Sequence, residues 1–463
     1  MINFIILFIF CWIIALFIHD MLPKISNKKV FNLFWYFTLL WVVFFPIRAW
    51  LINSDLVERQ VKQHLDENIL AVALIISFCF WLSSYLGYKS GSISIIGTPQ
   101  IYLGNYNVRS KFVYFILFML AIMSTKGVIN MNGQNITFVG NAQNELRTGN
   151  GPIFFLTTLY QFAFTLICGE FLHQRRRGIF RNKHLYFLVF ILTILLSVFL
   201  MHFLQSRRIF AEPIFILFSL YILTKRNAKF LAIFVMFATV FAAPILQIFR
   251  YINWSDASKI GVVEYFLQYL GDVKYLATII SSSFEGIDHL AAYLQKNEIV
   301  TTIMGKDAGI AWSFNVLLSL VPRVLWNEKP EIYGSVEMQY SIYPFFFENG
   351  PATITIPVSY IVDFSYGFGV FIGLIFAFLM GRVFKILTEY IWSDNCNHIA
   401  LGLSLFVFSN MFNVIRGGSG ALQGIVFLAL VSVCLYGMRP NYIFLKAFIF
   451  DCTKINVNLR QRK

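Results

Sequence analysis

Apolar runs of roughly twenty residues recur along the length of this chain, and they restrict it to helices that cross a lipid bilayer. A hydrocarbon core offers no water to backbone amides, so each crossing must satisfy its own hydrogen bonds. A single run of that length does so only as an α-helix. Composition matters for excluding the alternative. Charged residues are 13% and hydrophobic residues 58% of the 463 positions, whereas a soluble domain carries about 25% charged residues. The pattern predicts an all-α polytopic membrane protein with about eleven spans. They are expected near 2–18, 31–51, 69–87, 112–129, 153–172, 185–204, 209–224, 230–248, 355–380, 399–415 and 420–438. The first run lacks a basic start and a small-residue cleavage site, and reads as a retained span. The six cysteines are scattered without a CxxC pair, which supports neither a zinc site nor a redox pair.

Charge orients the array. Lys24, Lys28 and Lys29 follow the first span, and Lys89, Arg109 and Lys111 the third. QRRRGIFRNK follows the fifth, KRNAK the seventh, Arg382 and Lys385 the ninth, and a basic tail the last. All fall on one side, which the positive-inside rule makes cytoplasmic. The N-terminus is then outside and the C-terminus inside. The net charge of +14 is thus mainly a topology signal, and no nucleic-acid partner is expected. Four regions follow: an N-terminal bundle over 1–248, a large outer loop or cap over 249–352, C-terminal spans over 353–438, and a basic cytoplasmic tail over 439–463.

The outer insert carries its own amphipathic pieces. EYFLQYLGDVKYLATII and FEGIDHLAAYLQ have apolar residues at helical spacing, and AGIAWSFNVLLSLV is apolar but short for a crossing. Pro322 and Pro330 bracket an irregular turn. The expected fold is a helical bundle under a partly helical cap.

Ionisable residues at the outer boundary stand out because charge at that depth is costly and usually faces an internal cavity. Arg48 ends the second span, and Arg250 the eighth. Either they serve a site or they snorkel to head groups. Arg207 and Arg208 make nearly the whole outer turn between spans six and seven, with Glu212 just beyond. Arg416 lies in the last outer turn, beside Gly417, Gly418 and Gly420. Asp363 sits in span nine, either as a functional carboxylate or as a helix–helix hydrogen-bond partner. Guanidinium groups grip phosphate oxygens with paired, charge-assisted hydrogen bonds. Convergent arginines beside a membrane therefore suit a lipid-linked diphosphate, and they stabilise the charge that develops when a sugar–phosphate bond breaks.

Several segments resemble one family. RVLWNEKP, ITIPVSYIVDFSYGFGVFIGLIFAFLMG, NMFNVIRGGSG and SRRIF resemble the corresponding stretches of O-antigen polymerases of the Wzy type, near the enterobacterial common antigen branch. The resemblance covers mainly residues 200–435. It implies a GT-C-like bundle in the bacterial inner membrane. It also implies transfer of a growing glycan from one undecaprenyl diphosphate carrier to the next lipid-linked repeat on the periplasmic face. Surface polysaccharides such as O-antigen or capsule would be the products. No metal or other cofactor is implied; a chain-length regulator and a flippase are the implied partners. Carried over by motif, Arg207, Arg323 and Arg416 become the leading diphosphate or glycan contacts. Arg208, Arg48, Arg250 and Lys329 are of second rank. Trp326, Tyr333, Tyr340 and Tyr343 either stack on sugar faces or form a membrane-interface belt. An acceptor hydroxyl must lose a proton, and Glu285, Asp288 and Asp363 are candidate bases that spacing does not separate. His289 suggests a ligase-like alternative, because O-antigen ligases are expected to use an outer-loop histidine; the plainer reading is an ordinary helix-surface residue. A flippase is the third alternative, and the absence of matched halves argues against it.

Overall fold

A computed structural model of the protein describes residues 1–26, 31–57, 67–90, 115–124, 159–176, 178, 183–204, 207–225, 274, 277, 278, 281, 284–295, 359–365, 369–392 and 398–416. Among these residues there are helices and no strands. In chain order they are α1 (Ile2–Ser26), α2 (Leu33–Asn53), α3 (Glu67–Lys89), α4 (Phe115–Ser124), α5 (Leu159–Arg176), α6 (Lys183–Leu204), α7 (Arg207–Lys225), α8 (Gly286–Gln295), α9 (Tyr360–Ser365), α10 (Gly369–Trp392) and α11 (His398–Ser409). Helix resumes after Asn410 over 411–416. Among the described residues, four helices are long and apolar enough to cross a membrane: Ile2–Met21 within α1, then α2, α3 and α10. The protein is a helical membrane protein.

Its outer surface supports that class. Leu188, Ile191, Leu192 and Leu195 on α6 are exposed at helical spacing, as are Phe371, Ile375 and Leu379 on α10. Such stripes face lipid; in water they would form an aggregation-prone patch. The interior is aromatic, with Trp41, Trp81, Phe34, Phe37, Phe44, Phe45 and Tyr360 fully buried.

The contacts fix helix directions. At one end of the bundle Lys89 donates to Asp20 at 2.5 Å, Asn32 to Tyr88 at 2.6 Å, and the Trp392 indole to the Phe31 carbonyl at 2.7 Å. At the other end Asn53 meets Asn3. Helices α1 and α3 therefore run in one direction and α2 in the opposite one. Helix α10 runs parallel to α3, because Ser83 meets the Leu374 carbonyl and Lys385 the Ser90 carbonyl. Helix α11 follows α2, with Phe408 beside Phe31 and Phe412 beside Phe44. Helix α5 opposes α11, with Phe162 against Phe406 and His173 near His398. This geometry carries Arg175 and Arg176 to the same end as Lys89 and Lys385.

The parallel pair α3 and α10 packs at very close range. A Cβ at Gly87 would overlap the Phe378 carbonyl, and one at Gly381 the Ser84 carbonyl. Small residues let membrane helices approach backbone to backbone, so this is a glycine-dependent seam.

One expected span differs from the fold. The apolar run 355–380 reads as a single crossing, yet α9 folds back against α10. The Phe37 ring lies 5.7 Å from that of Tyr360 and 5.3 Å from that of Phe384. One unbroken helix would separate residues 360 and 384 by about 36 Å. Ser365 lies against Gly373, and Phe364 pairs with Phe376 at 5.8 Å. Gly369 opens α10 at φ +79°, a left-handed conformation that glycine adopts without strain. Hydropathy measures how apolar a run is and carries no record of a reversal within it.

Candidate functional site

The site lies at the end of the bundle away from Lys89, where α8 of the insert is buried among the spans. Its foundation is a distortion in α2. Val43–Ile47 forms a π-helical turn containing Pro46. Proline has no N–H to give, and a widened turn accommodates the missing bond. The extra residue in the turn rotates everything after it around the helix axis. Arg48 comes next and is directed inward, 1% exposed.

The insert supplies the partners: Asp288 in the first turn of α8, Glu285 just before it, and Ser281, which lies before the non-helical Phe284. The Arg48 Nε donates to Asp288 Oδ2 at 2.9 Å, and Nη2 donates to Oδ1 at 3.2 Å. Nη1 donates to the Ser281 hydroxyl, which donates onward to the Ala277 carbonyl. Arg48 thus holds a buried carboxylate in a fork, a geometry lysine does not match. Glu285 stands at the start of α8, its carbonyl accepting from the His289 N–H at 3.2 Å. Its Oε1 is 3.9 Å from Arg48 Nη2, and its Oε2 is 3.9 Å from His289 Nε2.

The fourth element is the end of the helix that follows α11. Arg416, half-buried, acts electrostatically on both Glu285 and His289. Phe412, one turn earlier, packs on Phe284 and Phe44 and ties this element to α8 and α2. The site is thus two arginines from separate membrane helices around two carboxylates and a histidine from the insert.

Electrostatics separates the three titratable groups of α8. Burial raises Glu285, and the neighbouring Asp288 charge raises it further; Arg48 and Arg416 oppose both, and the outcome is about 7. Burial alone would also raise Asp288, but the charge and hydrogen bonds of Arg48 prevail and hold it below the ordinary carboxylate range. Burial pushes His289 down to about 4, helped by the arginines and opposed by Asp288. At neutral pH His289 is uncharged, Asp288 is ionised, and Glu285 is poised between its two forms.

Several expectations meet this geometry. Arg48, Glu285 and Asp288 come together although Arg48 and Asp288 are 240 positions apart, and Arg416 acts electrostatically on Glu285. Arg48 is paired in the interior and does not snorkel. His289 is 3% exposed, so the helix-surface reading is corrected: α8 is enclosed by α2, α3 and α9, and no face of it near His289 meets solvent. Asp363 is buried on α9, which packs on α8, but it is absent from the charges acting on Glu285, Asp288 and His289. Arg207 and Arg208 open α7 and so belong to its first turn; their side chains lie outside the described residues. Arg250, Arg323, Trp326, Lys329, Tyr333, Tyr340 and Tyr343 also lie outside them. Ser281 is a further site residue that the sequence does not single out, because the non-helical Phe284 separates it from α8. Among the described residues, no three His, Cys, Asp or Glu side chains come together as a metal site.

No protein-family model, no curated protein and no solved structure matches this chain.

Proposed function

We propose that the protein is a membrane glycosyltransferase. On this reading it extends a glycan by transferring it from one polyprenyl diphosphate carrier to a sugar hydroxyl of the next lipid-linked repeat. The observation that carries the reading is that Arg48 grips Asp288 and stands beside Glu285, while Arg416 acts electrostatically on Glu285, at one end of an apolar bundle. A diphosphate leaving group needs fixed positive charge where its own charge develops. An acceptor hydroxyl needs a carboxylate whose proton affinity lies near neutrality. Both requirements meet in one cluster, and a donor with a polyprenyl tail stays in lipid while its head group reaches that cluster. The clustering of Lys89, Arg175, Arg176 and Lys385 at the opposite end supports an orientation in which the site faces outward. Eleven spans, a GT-C-like arrangement and a bacterial inner-membrane location complete the proposal.

A lipid-linked oligosaccharide flippase is the second reading. The fold-back of α9 on α10 favours it, because broken helices at membrane depth are common in transporters. Reconstitution with purified lipid-linked repeat separates the two. The transferase lengthens the glycan into a ladder, a ligase does so only with a second lipid acceptor, and a flippase moves lipid without lengthening anything. In the ladder assay, Arg207→Ala, Arg323→Ala and Arg416→Ala are each expected to slow chain growth by about 100-fold, the scale for losing one charge-stabilising donor. The amount of membrane-inserted protein should be unchanged. Wild-type ladders from all three variants would remove the arginine assignment.

A further inference from the structure

Three carboxylates compete for the role of proton acceptor, and the geometry distinguishes them. Both Asp288 oxygens are engaged by Arg48, at 2.9 and 3.2 Å. A carboxylate held in a guanidinium fork has its lone pairs occupied and its charge stabilised, so it is a weak base. Asp363 sits on a different element, α9, and is not among the charges that shift the cluster's ionisable groups. Glu285 is different. Arg48 already directs Nε and Nη2 to Asp288 and Nη1 to Ser281, leaving Glu285 at 3.9 Å, beyond hydrogen-bond reach. Its Oε1 is buried and accepts no hydrogen bond from any described residue. A buried acceptor without a donor is costly, and a hydroxyl donated by a ligand would relieve that cost.

We propose that Glu285 Oε1 is the catalytic base, taking the proton of the acceptor sugar hydroxyl; this rests on the transferase reading above. In the step, the hydroxyl O–H proton passes to Oε1 and the hydroxyl oxygen bonds to the donor's anomeric carbon. The bond from that carbon to the diphosphate oxygen breaks, and its electron pair leaves on the diphosphate. Glu285 then returns the proton to water. Arg416 links the two substrates. Its positive charge draws Glu285 downward, and a seated diphosphate neutralises part of that charge. Donor binding therefore makes Glu285 a stronger base when the acceptor needs one. Among the described residues, the charges acting on Glu285 are Asp288 in the first turn of α8, Arg48 of α2 and Arg416; the ionisable residues of α3 and α9, which also pack on α8, are not among them.

The test is the initial rate of ladder formation by full-length protein in liposomes, with undecaprenyl-diphosphate-linked repeat, across about pH 5.5 to 8.5. For wild type, kcat/KM should rise with pH through an inflection near 7, the value at which Glu285 ionises. Glu285→Gln should lose at least about 100-fold in kcat, lose the inflection and keep KM within about twofold. Glu285→Asp should restore part of the rate and show an inflection at a displaced pH. A wild-type profile without an inflection between about pH 6 and 8 overturns the proposal, even if Glu285→Gln does not fold. A Glu285→Gln enzyme with wild-type kcat overturns it as well. A loss that appears only as raised KM and lowered melting temperature shows a structural role and overturns it too. No ladder from wild type removes the transferase reading and this proposal together, whereas a ladder that ignores Glu285 removes the proposal alone.

Discussion

Arg48→Met is expected to destabilise the protein by about 3–5 kcal/mol, the cost of removing one partner of a buried ion pair. Asp288 is 4% exposed, and without the guanidinium fork its charge has no adequate partner. Much of the loss is the penalty for leaving that charge buried; the pair itself contributes less. A double variant, Arg48→Met with Asp288→Leu, should therefore recover most of the stability while remaining inactive. Arg48→Lys should fall between, because an ammonium cannot serve both carboxylate oxygens and Ser281 at once. The measurement is thermal unfolding of purified protein in detergent. Because membrane proteins often unfold irreversibly, the rate of unfolding at fixed temperature is the safer readout. A melting profile for Arg48→Met that matches wild type would show that the pair does not hold α8 in place.

The Arg48 pair also shows what the sequence can and cannot reveal. Arg48 stands out because a charge at the end of an apolar run needs a reason, and Glu285 and Asp288 stand out as acids on an amphipathic piece. Nothing along the chain joins them, since contact across 240 positions is a product of the fold. The same limit governs His289. A histidine on an amphipathic helix reads as a surface residue until the helix is found enclosed by three others. Helices α2 and α3 were legible to within two residues of their expected starts and ends, because twenty apolar residues have one outcome in lipid. The reversal between α9 and α10 was not, although Gly369 at the start of α10 adopts the left-handed conformation that accompanies it. Glycine permits a turn without requiring one.

Helix α8 of the insert is an integral part of the bundle. Helix α8 contributes Ile287, Leu290, Ala291 and Ala292 to the same continuous core as α2, α3 and α10. A separately folded cap would keep its own core and could move freely. Here the apolar face of α8 is buried among spans, and the polar face carries the candidate base. Burial that stabilises the helix also excludes water from Glu285, and that exclusion is the main cause of its raised proton affinity. Packing and chemistry are therefore coupled, and variants that loosen α8 should lower the Glu285 inflection as well as the melting temperature.

The seam between α3 and α10 predicts the second large effect. Gly381→Leu is expected to cost about 3 kcal/mol or more, since overpacking a close interface forces backbone displacement. Its side chain would begin inside the Ser84 carbonyl, a backbone atom that cannot rotate away. Gly87 makes the reciprocal contact with the Phe378 carbonyl, so residues 84 and 87 face 378 and 381 across one turn of each helix. That reciprocity makes the two sites interdependent. Gly87→Ala and Gly381→Ala should each destabilise the protein, and the double variant should cost clearly less than both together. Once one methyl has pushed the helices apart, the second enters space already opened, and contacting sites commonly couple by about 0.5–3 kcal/mol. The measurement is the midpoint of thermal unfolding for both single variants and the double. Strict additivity, or wild-type midpoints for both singles, would mean that α3 and α10 do not meet at these glycines. The parallel direction assigned to the pair would then also fail, because Gly87 and Gly381 lie between the two contacts that define it.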